Sequence, residues 1–121
     1  MIFDSRPCEL GEGPFRHPLR EQLFWFDILN RTLHSQSGGK AESRSFPDIV
    51  SAAGWIDRDT LLIASEAGLS ELNLATGDRK KVVAAGSPVT RSNDGRADRQ
   101  GGFWFGTMGR RAERGAGAIW R

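Results

Sequence analysis

The sequence predicts an all-β chain assembled from a repeating unit. Three observations carry that prediction. Apolar runs are short and bounded by turn residues, strand and turn echo at intervals near 40 residues, and no segment holds a helical period with caps at both ends. The 15 glycines point the same way, because glycine weakens helix interiors and marks turns.

The first predicted strand is Leu23–Ile28, a run of Leu, Phe, Trp and Phe stopped by Asn30-Arg31. Thr32–Ser37 follows and ends at Gly38-Gly39. Ala41–Phe46 completes that group. Ala52–Ile56 is closed by Asp57 to Asp59, Thr60–Ser65 by Glu66 to Gly68, and Gly68–Leu74 by Thr76-Gly77. Arg79–Ala84, Gly102–Gly106 and Ala118–Arg121 make up the rest.

The strands repeat. Leu61 opens an apolar strand 38 residues after Leu23, and Gly102 opens another 41 after Leu61. Each is followed by a turn and a second strand, and the glycine turns at Gly39 and Gly77 are also 38 apart. A period near 40 made of short antiparallel strands is the signature of propeller blades, each a four-stranded sheet. At that period the chain holds two to three blades, the third incomplete, so residues 1–121 are expected to form one partial propeller domain truncated at its C-terminus. Open blade edges would expose unpaired strands and allow self-association. On periodicity alone, a small β-sandwich or barrel with evenly spaced strands also fits.

Composition narrows the class. Charged residues make up 26% and hydrophobic residues 38%, a balance that supports a packed core. No apolar run approaches the ~18 residues of a membrane span. Met1 to Gly13 lacks the layout of a secretory signal, so the expected location is cytoplasmic. The net charge is +2, with a local excess at Arg110, Arg111, Arg114 and Arg121, but no basic stripe or recognition motif points to nucleic acid. Cys8 is the single cysteine and cannot form an internal disulfide; it is expected to be a structural or surface thiol. His17, between Arg16 and Pro18, is expected in a surface turn, and Glu66 in a solvated one. Trp25, Trp55, Trp104 and Trp120 are expected to pack within blades.

Two stretches carry candidate chemistry. In Leu10-Gly11-Glu12-Gly13-Pro14 a glutamate sits on constrained backbone, and its carboxylate suits a hard cation that prefers oxygen ligands. From that motif alone, an exposed loop glutamate is the favoured reading. The second stretch runs from Arg91 through Asn93-Asp94-Gly95, a turn with two oxygen-bearing side chains. It continues through Asp98 to Gly101 into Gly102-Phe103-Trp104-Phe105-Gly106-Thr107-Met108. A calcium loop of the EF-hand kind is excluded, because its closing glutamate is missing.

Together these motifs resemble the family of gluconolactonases, regucalcin (senescence marker protein) and luciferin-regenerating enzyme. Trp25-Phe26-Asp27-Ile28 between them is similar to that family's first-blade strand, and the resemblance runs from about Glu9 to Met108. It implies a six-bladed β-propeller that hydrolyses a sugar lactone with the help of a divalent metal ion: calcium, zinc, magnesium or manganese. It implies a metal-ligating role for Glu12 and substrate contacts for Arg91 and Asn93, with Asp94 and Gly95 shaping the turn. It places the other metal ligands, an asparagine and an aspartate that is also the general base, in later blades past Arg121. The 121 residues by themselves are then expected to be inactive. A non-catalytic calcium-binding or interaction propeller is the alternative within the same family. The chain departs from the family at Gly109-Arg110-Arg111, where many relatives carry an acidic residue that touches substrate.

Overall fold

The computed structural model describes residues Met1–Arg121. Alternation of apolar and polar residues in strands of about six residues produces three antiparallel sheets and no helix. The first sheet is formed by β1 (Gly11–His17), β2 (Gln22–Asp27), β3 (Thr32–Ser37) and β4 (Lys40–Ser45), paired in that order. The second repeats it with β5 (Val50–Trp55), β6 (Thr60–Ser65), β7 (Gly68–Asn73) and β8 (Arg79–Ala84). The third pairs β9 (Thr90–Ala97), β10 (Phe103–Gly109) and β11 (Ile119–Trp120). Each sheet is a meander with its first strand innermost, and the innermost strands β1, β5 and β9 contact one another. These are successive blades of a propeller, and the sandwich alternative is set aside. No helix is long and apolar enough to cross a membrane.

The outer strands fall within a few residues of the predicted ones. Gly38 and Gly39 both have positive φ, the requirement of a tight two-residue hairpin, and close β3 onto β4. Two strands differ from expectation. Gly11–His17 and Thr90–Ala97 are strands β1 and β9, although Asn93-Asp94-Gly95 has turn composition. Both carry a β-bulge: the register shifts between Glu12 and Phe15 in β1 and across Asn93-Asp94 in β9. β5 is also bulged, at Ser51. All three innermost strands therefore take up an extra residue, which bends the strand and re-aims its side chains.

The middle blade packs on both faces. Leu61, Ile63 and Leu72 join Val50 and Ala53 against Phe24, Phe26, Ile28 and Leu33 of the first blade. On the other face Ala52 and Ala64 meet Phe103 and Phe105 of the third. The period of two along β6 thus sends alternate residues to different neighbours. Polar contacts lock these interfaces and tie the second blade to the segment entering it. Ser51 Oγ donates to Ser92 Oγ at 2.7 Å, with both residues fully buried. Arg79 holds Asp48 at 2.5 and 3.0 Å, and Arg20 holds Asp59 at 2.6 Å across the equivalent turns of blades one and two.

Several side chains differ from expectation. His17 is buried rather than in a surface turn. Its Nδ1 accepts from the Leu19 amide at 3.2 Å, so the proton sits on Nε2, which donates to the Asp57 carbonyl at 3.0 Å. Glu66 is half-buried: it accepts from the Ile49 amide at 3.0 Å and pairs with Arg110 of the third blade. Trp55, Trp104 and Trp120 are 43%, 45% and 39% exposed, outside the interblade cores. The Trp104 indole donates to Asp98 at 2.9 Å, with Arg121 above its ring.

Two outcomes follow from these contacts. Ser51→Ala or Ser92→Ala alone strands a buried hydroxyl and should cost about 1–3 kcal/mol, whereas the double substitution should cost clearly less than the sum of the two. A double-mutant cycle by urea unfolding checks this. Burial pushes the Asp48 carboxyl up, but the hydrogen bonds and charge of Arg79 outweigh it, and its pKa is lowered. The ionised form is thus favoured by folding. This stabilisation is complete above the ordinary aspartate range and is lost as pH falls below about 4. Asp48→Asn should lower stability at neutral pH and flatten its decline in acid, read as urea midpoints across that range.

Candidate functional site

Glu12 stands on β1 between two glycines. Gly13 has φ of 60°, and a Cβ there would lie 2.7 Å from the Ser51 carbonyl oxygen. Only glycine allows β1 to approach β5 this closely, and that approach draws the backbone around Glu12 towards the shared axis. Glu12 is exposed and has none of the structure's ion-pair partners.

Arg91 and Asn93 lie two apart on β9, on the opposite side of the strand from buried Ser92. Both are half-buried. Arg91 Nη1 donates to the Ser92 carbonyl at 3.0 Å and to Asn93 Oδ1 at 3.3 Å, so the two side chains are already oriented on each other. Burial pushes the Arg91 guanidinium down from its ordinary value, and the negative charge of Glu12 pulls in the other direction. Glu12 on the first blade and Arg91 on the third are therefore electrostatic neighbours, although 78 residues separate them in the chain.

A cavity of about 530 Å³ runs between the three innermost strands. Glu12, Phe15, Trp55, Asp94 and Arg96 are among its lining residues. Glu12 and Asp94 thus share one space, while Arg91 and Asn93 stand outside its lining. Asp94 Oδ1 accepts from the Gly95 amide at 2.8 Å, which fits the turn-shaping role expected of it, here within a bulged strand. A second groove of about 540 Å³, lined by Arg20, Glu42 and Arg44, lies on the outer strands of the first blade, away from Glu12.

The donor chemistry suits a hard divalent ion. Glu12 is an unpaired carboxylate, and carboxylate oxygens are the preferred donors of calcium and magnesium. Arg110, where the family's acidic residue was expected, does not turn to this cavity. It binds the Pro88 carbonyl at 2.9 Å and pairs with Glu66.

Sequence reasoning missed the Ser51–Ser92 pair. Its signal was nevertheless present, because the two serines are 41 apart, the same offset as Leu61 and Gly102. It also missed a group on the first blade: Cys8, Asp27 and His34 bring one potential ligand atom each to within 4.8 Å of one another. No short motif announces that group, because its members come from three separate segments.

Comparison with known proteins follows the same lines. The chain is 42% identical over 93% of its length to a Rhizobium meliloti (strain 1021) protein assigned as a sugar lactone lactonase, of which it covers 39%. It is 35% identical over 84% of its length to a pentonolactonase of Haloferax volcanii, of which it covers 35%. The crystal structure of a calcium-binding protein, regucalcin, from Agrobacterium tumefaciens superposes with a TM-score of 0.92 at 42% identity, over 96% of this chain and 41% of that one. The chain spans about two fifths of the length of these relatives. The model of the SMP-30/gluconolactonase/LRE-like region matches residues 10–121, and the chain belongs to that family.

Proposed function

We propose that the chain supplies the first metal-ligating carboxylate and the sugar-contacting pair of a divalent-metal-dependent sugar lactone hydrolase. One observation carries this: the first and third blades bring their innermost strands β1 and β9 together, so that unpaired Glu12 lines the cavity between the blades and its charge reaches half-buried Arg91 just outside that lining. Relatives named as lactonases give the substrate class.

Glu12 would hold the ion through oxygen, and the bound ion would polarise the lactone carbonyl and acidify a water molecule. The rest is the work of this chain's own side chains. Arg91 carries five N–H donors, of which the structure engages only those on Nη1. The others are available to sugar hydroxyls or to the ring oxygen. Asn93 accepts from Arg91 through Oδ1, which leaves its amide N–H groups free to donate. Partial burial strengthens these contacts, because a donor removed from bulk water competes less with solvent. Arg91 also places positive charge near the site, where negative charge develops on the carbonyl oxygen during attack.

A calcium-binding propeller without turnover is the second reading. It is favoured by the Agrobacterium tumefaciens regucalcin, which is described as a calcium-binding protein.

Acid release from gluconolactone by the protein carrying this chain should stop on chelation and return with calcium, zinc, magnesium or manganese. Glu12→Gln should lower kcat/KM on the order of 100-fold or more, since even an indirect metal-site partner is worth 10- to 100-fold. Arg91→Ala should cost about 10- to 100-fold, the value of a charge-assisted hydrogen bond. Full activity after metal removal would sink the mechanism. Metal binding by calorimetry with no turnover would select the second reading.

A further inference from the structure

We propose that Cys8, Asp27 and His34 form a second metal site, for a divalent transition ion that accepts thiolate and imidazole, with zinc the best fit. The site lies on the face of the first blade turned away from the second. Phe24, Phe26 and Leu33 point into the interblade core, so Trp25, Asp27 and His34 occupy the opposite face by strand alternation. The segment before β1 crosses that face. Arg6 sits 4.7 Å above the Trp25 ring and donates to the Glu42 carbonyl at 2.7 Å and the Ser35 carbonyl at 2.9 Å, which fixes the segment carrying Cys8.

Each member is prepared as a ligand. Asp27 is buried, and its carboxylate is oriented by hydrogen bonds from Asn30, Leu10 and Glu9. Oδ2 accepts from the Glu9 amide and from Asn30, while Oδ1 accepts only from the Leu10 amide. A carboxylate offers about four lone-pair sites, so one remains on Oδ1. His34 Nδ1 is bonded to Ser43 Oγ at 2.8 Å, which leaves Nε2 free of protein hydrogen bonds. Fixing one ring nitrogen through a neighbour is how proteins orient metal-binding histidines. Cys8 fits beside β1 because residue 11 is glycine; a Cβ there would stand 3.2 Å from the Cys8 Cβ.

Bonds of about 2.0–2.3 Å in tetrahedral geometry separate ligand atoms by about 3.4–3.7 Å. Three atoms within 4.8 Å reach that spacing by small side-chain rotations. One sulfur, one nitrogen and one oxygen leave a fourth position open, for water or another ligand. This donor set differs from the oxygen chemistry at Glu12, and a thiolate ligand selects against calcium and magnesium. The proposal does not rest on the lactonase reading.

The test uses the reduced 121-residue chain titrated with cobalt(II), whose thiolate complexes absorb in the near ultraviolet. One equivalent should produce that band together with the intense visible absorption of a tetrahedral ion. Cys8→Ser should abolish the near-ultraviolet band, His34→Gln should weaken affinity about tenfold or more, and Glu12→Gln should leave the band in place. Zinc should also protect Cys8 from alkylation, and His34→Gln should remove that protection while circular dichroism stays unchanged. Cobalt binding without the thiolate band, a band equally strong in His34→Gln, or alkylation of Cys8 at one rate with and without zinc would overturn the site. Since only the spectra and alkylation decide it, a failure of lactone hydrolysis leaves this test unaffected.

Discussion

The close approach of the three innermost strands is the constraint on which the rest of the structure depends. Gly13 lies against the Ser51 carbonyl, and Ser51 reaches Ser92 through a buried hydroxyl pair. Strands that converge on an axis leave no room for large side chains between them. From Ser51 to Gly54, β5 accordingly carries nothing larger than alanine or serine. Two small facing hydroxyls fit the same narrow space and satisfy each other there. With the strands this close, Glu12 and Asp94 are carried to one cavity, and Arg91 and Asn93 stand just outside its lining. Glu12 precedes Gly13, and Arg91 and Asn93 flank Ser92, so the residues that set the spacing are the sequence neighbours of the three proposed site residues.

The blades then fill the space that opens away from the axis. Phenylalanines from the first blade meet branched aliphatics from the second. At the next interface the sizes are reversed: Ala52 and Ala64 receive Phe103 and Phe105. Gly54 continues that accommodation, since a Cβ there would stand 3.2 Å from the Phe103 ring. Large against small at each interface lets sheets of similar backbone interlock at native density without straining rotamers. It also explains the weak identity between repeats. Positions equivalent in the period face neighbours of different volume, so the repeat preserves apolar character and spacing rather than particular residues.

This bears on what could be read from the sequence. The outer strands were legible because alternation and turn chemistry agree, as in Thr32–Ser37, Thr60–Ser65 and Arg79–Ala84, whose observed limits coincide with those expected. The two strands that hold the site were not. Gly11, Gly13 and Pro14 in β1, and Asn93, Asp94 and Gly95 in β9, have the composition of turns. Innermost strands have one edge towards the channel, where a proline costs no ladder hydrogen bond and a bulge is tolerated. Their residues answer to axis crowding and to polar function, and both erase the period of two. Glu12, Arg91 and Asn93 were singled out instead through resemblance of motifs, and their roles are proposals. His17 shows the same limit: the flanking Arg16 and Pro18 suggest a surface turn, yet the ring is sealed by Trp55 at 5.7 Å and by the Asp57 carbonyl.

Asp27 connects the axis to the outer face of the first blade. It pairs with Gly11 across β1 and β2, and its carboxylate binds the amides of Glu9 and Leu10, while the Leu10 carbonyl accepts from Ile28 at 3.0 Å. The chain therefore enters β1 clamped from one side chain, two residues ahead of Glu12. A glutamate on a free loop would sample many positions and lose much of its value as a ligand to the entropy of being held. Here the buried charge of Asp27, stabilised by three donors, fixes the strand that presents Glu12. The same carboxylate faces Cys8 and His34. Any charge or ligand placed against Asp27 must then be felt at the start of β1. The height of Glu12 along the channel is thus set by a residue that never touches it.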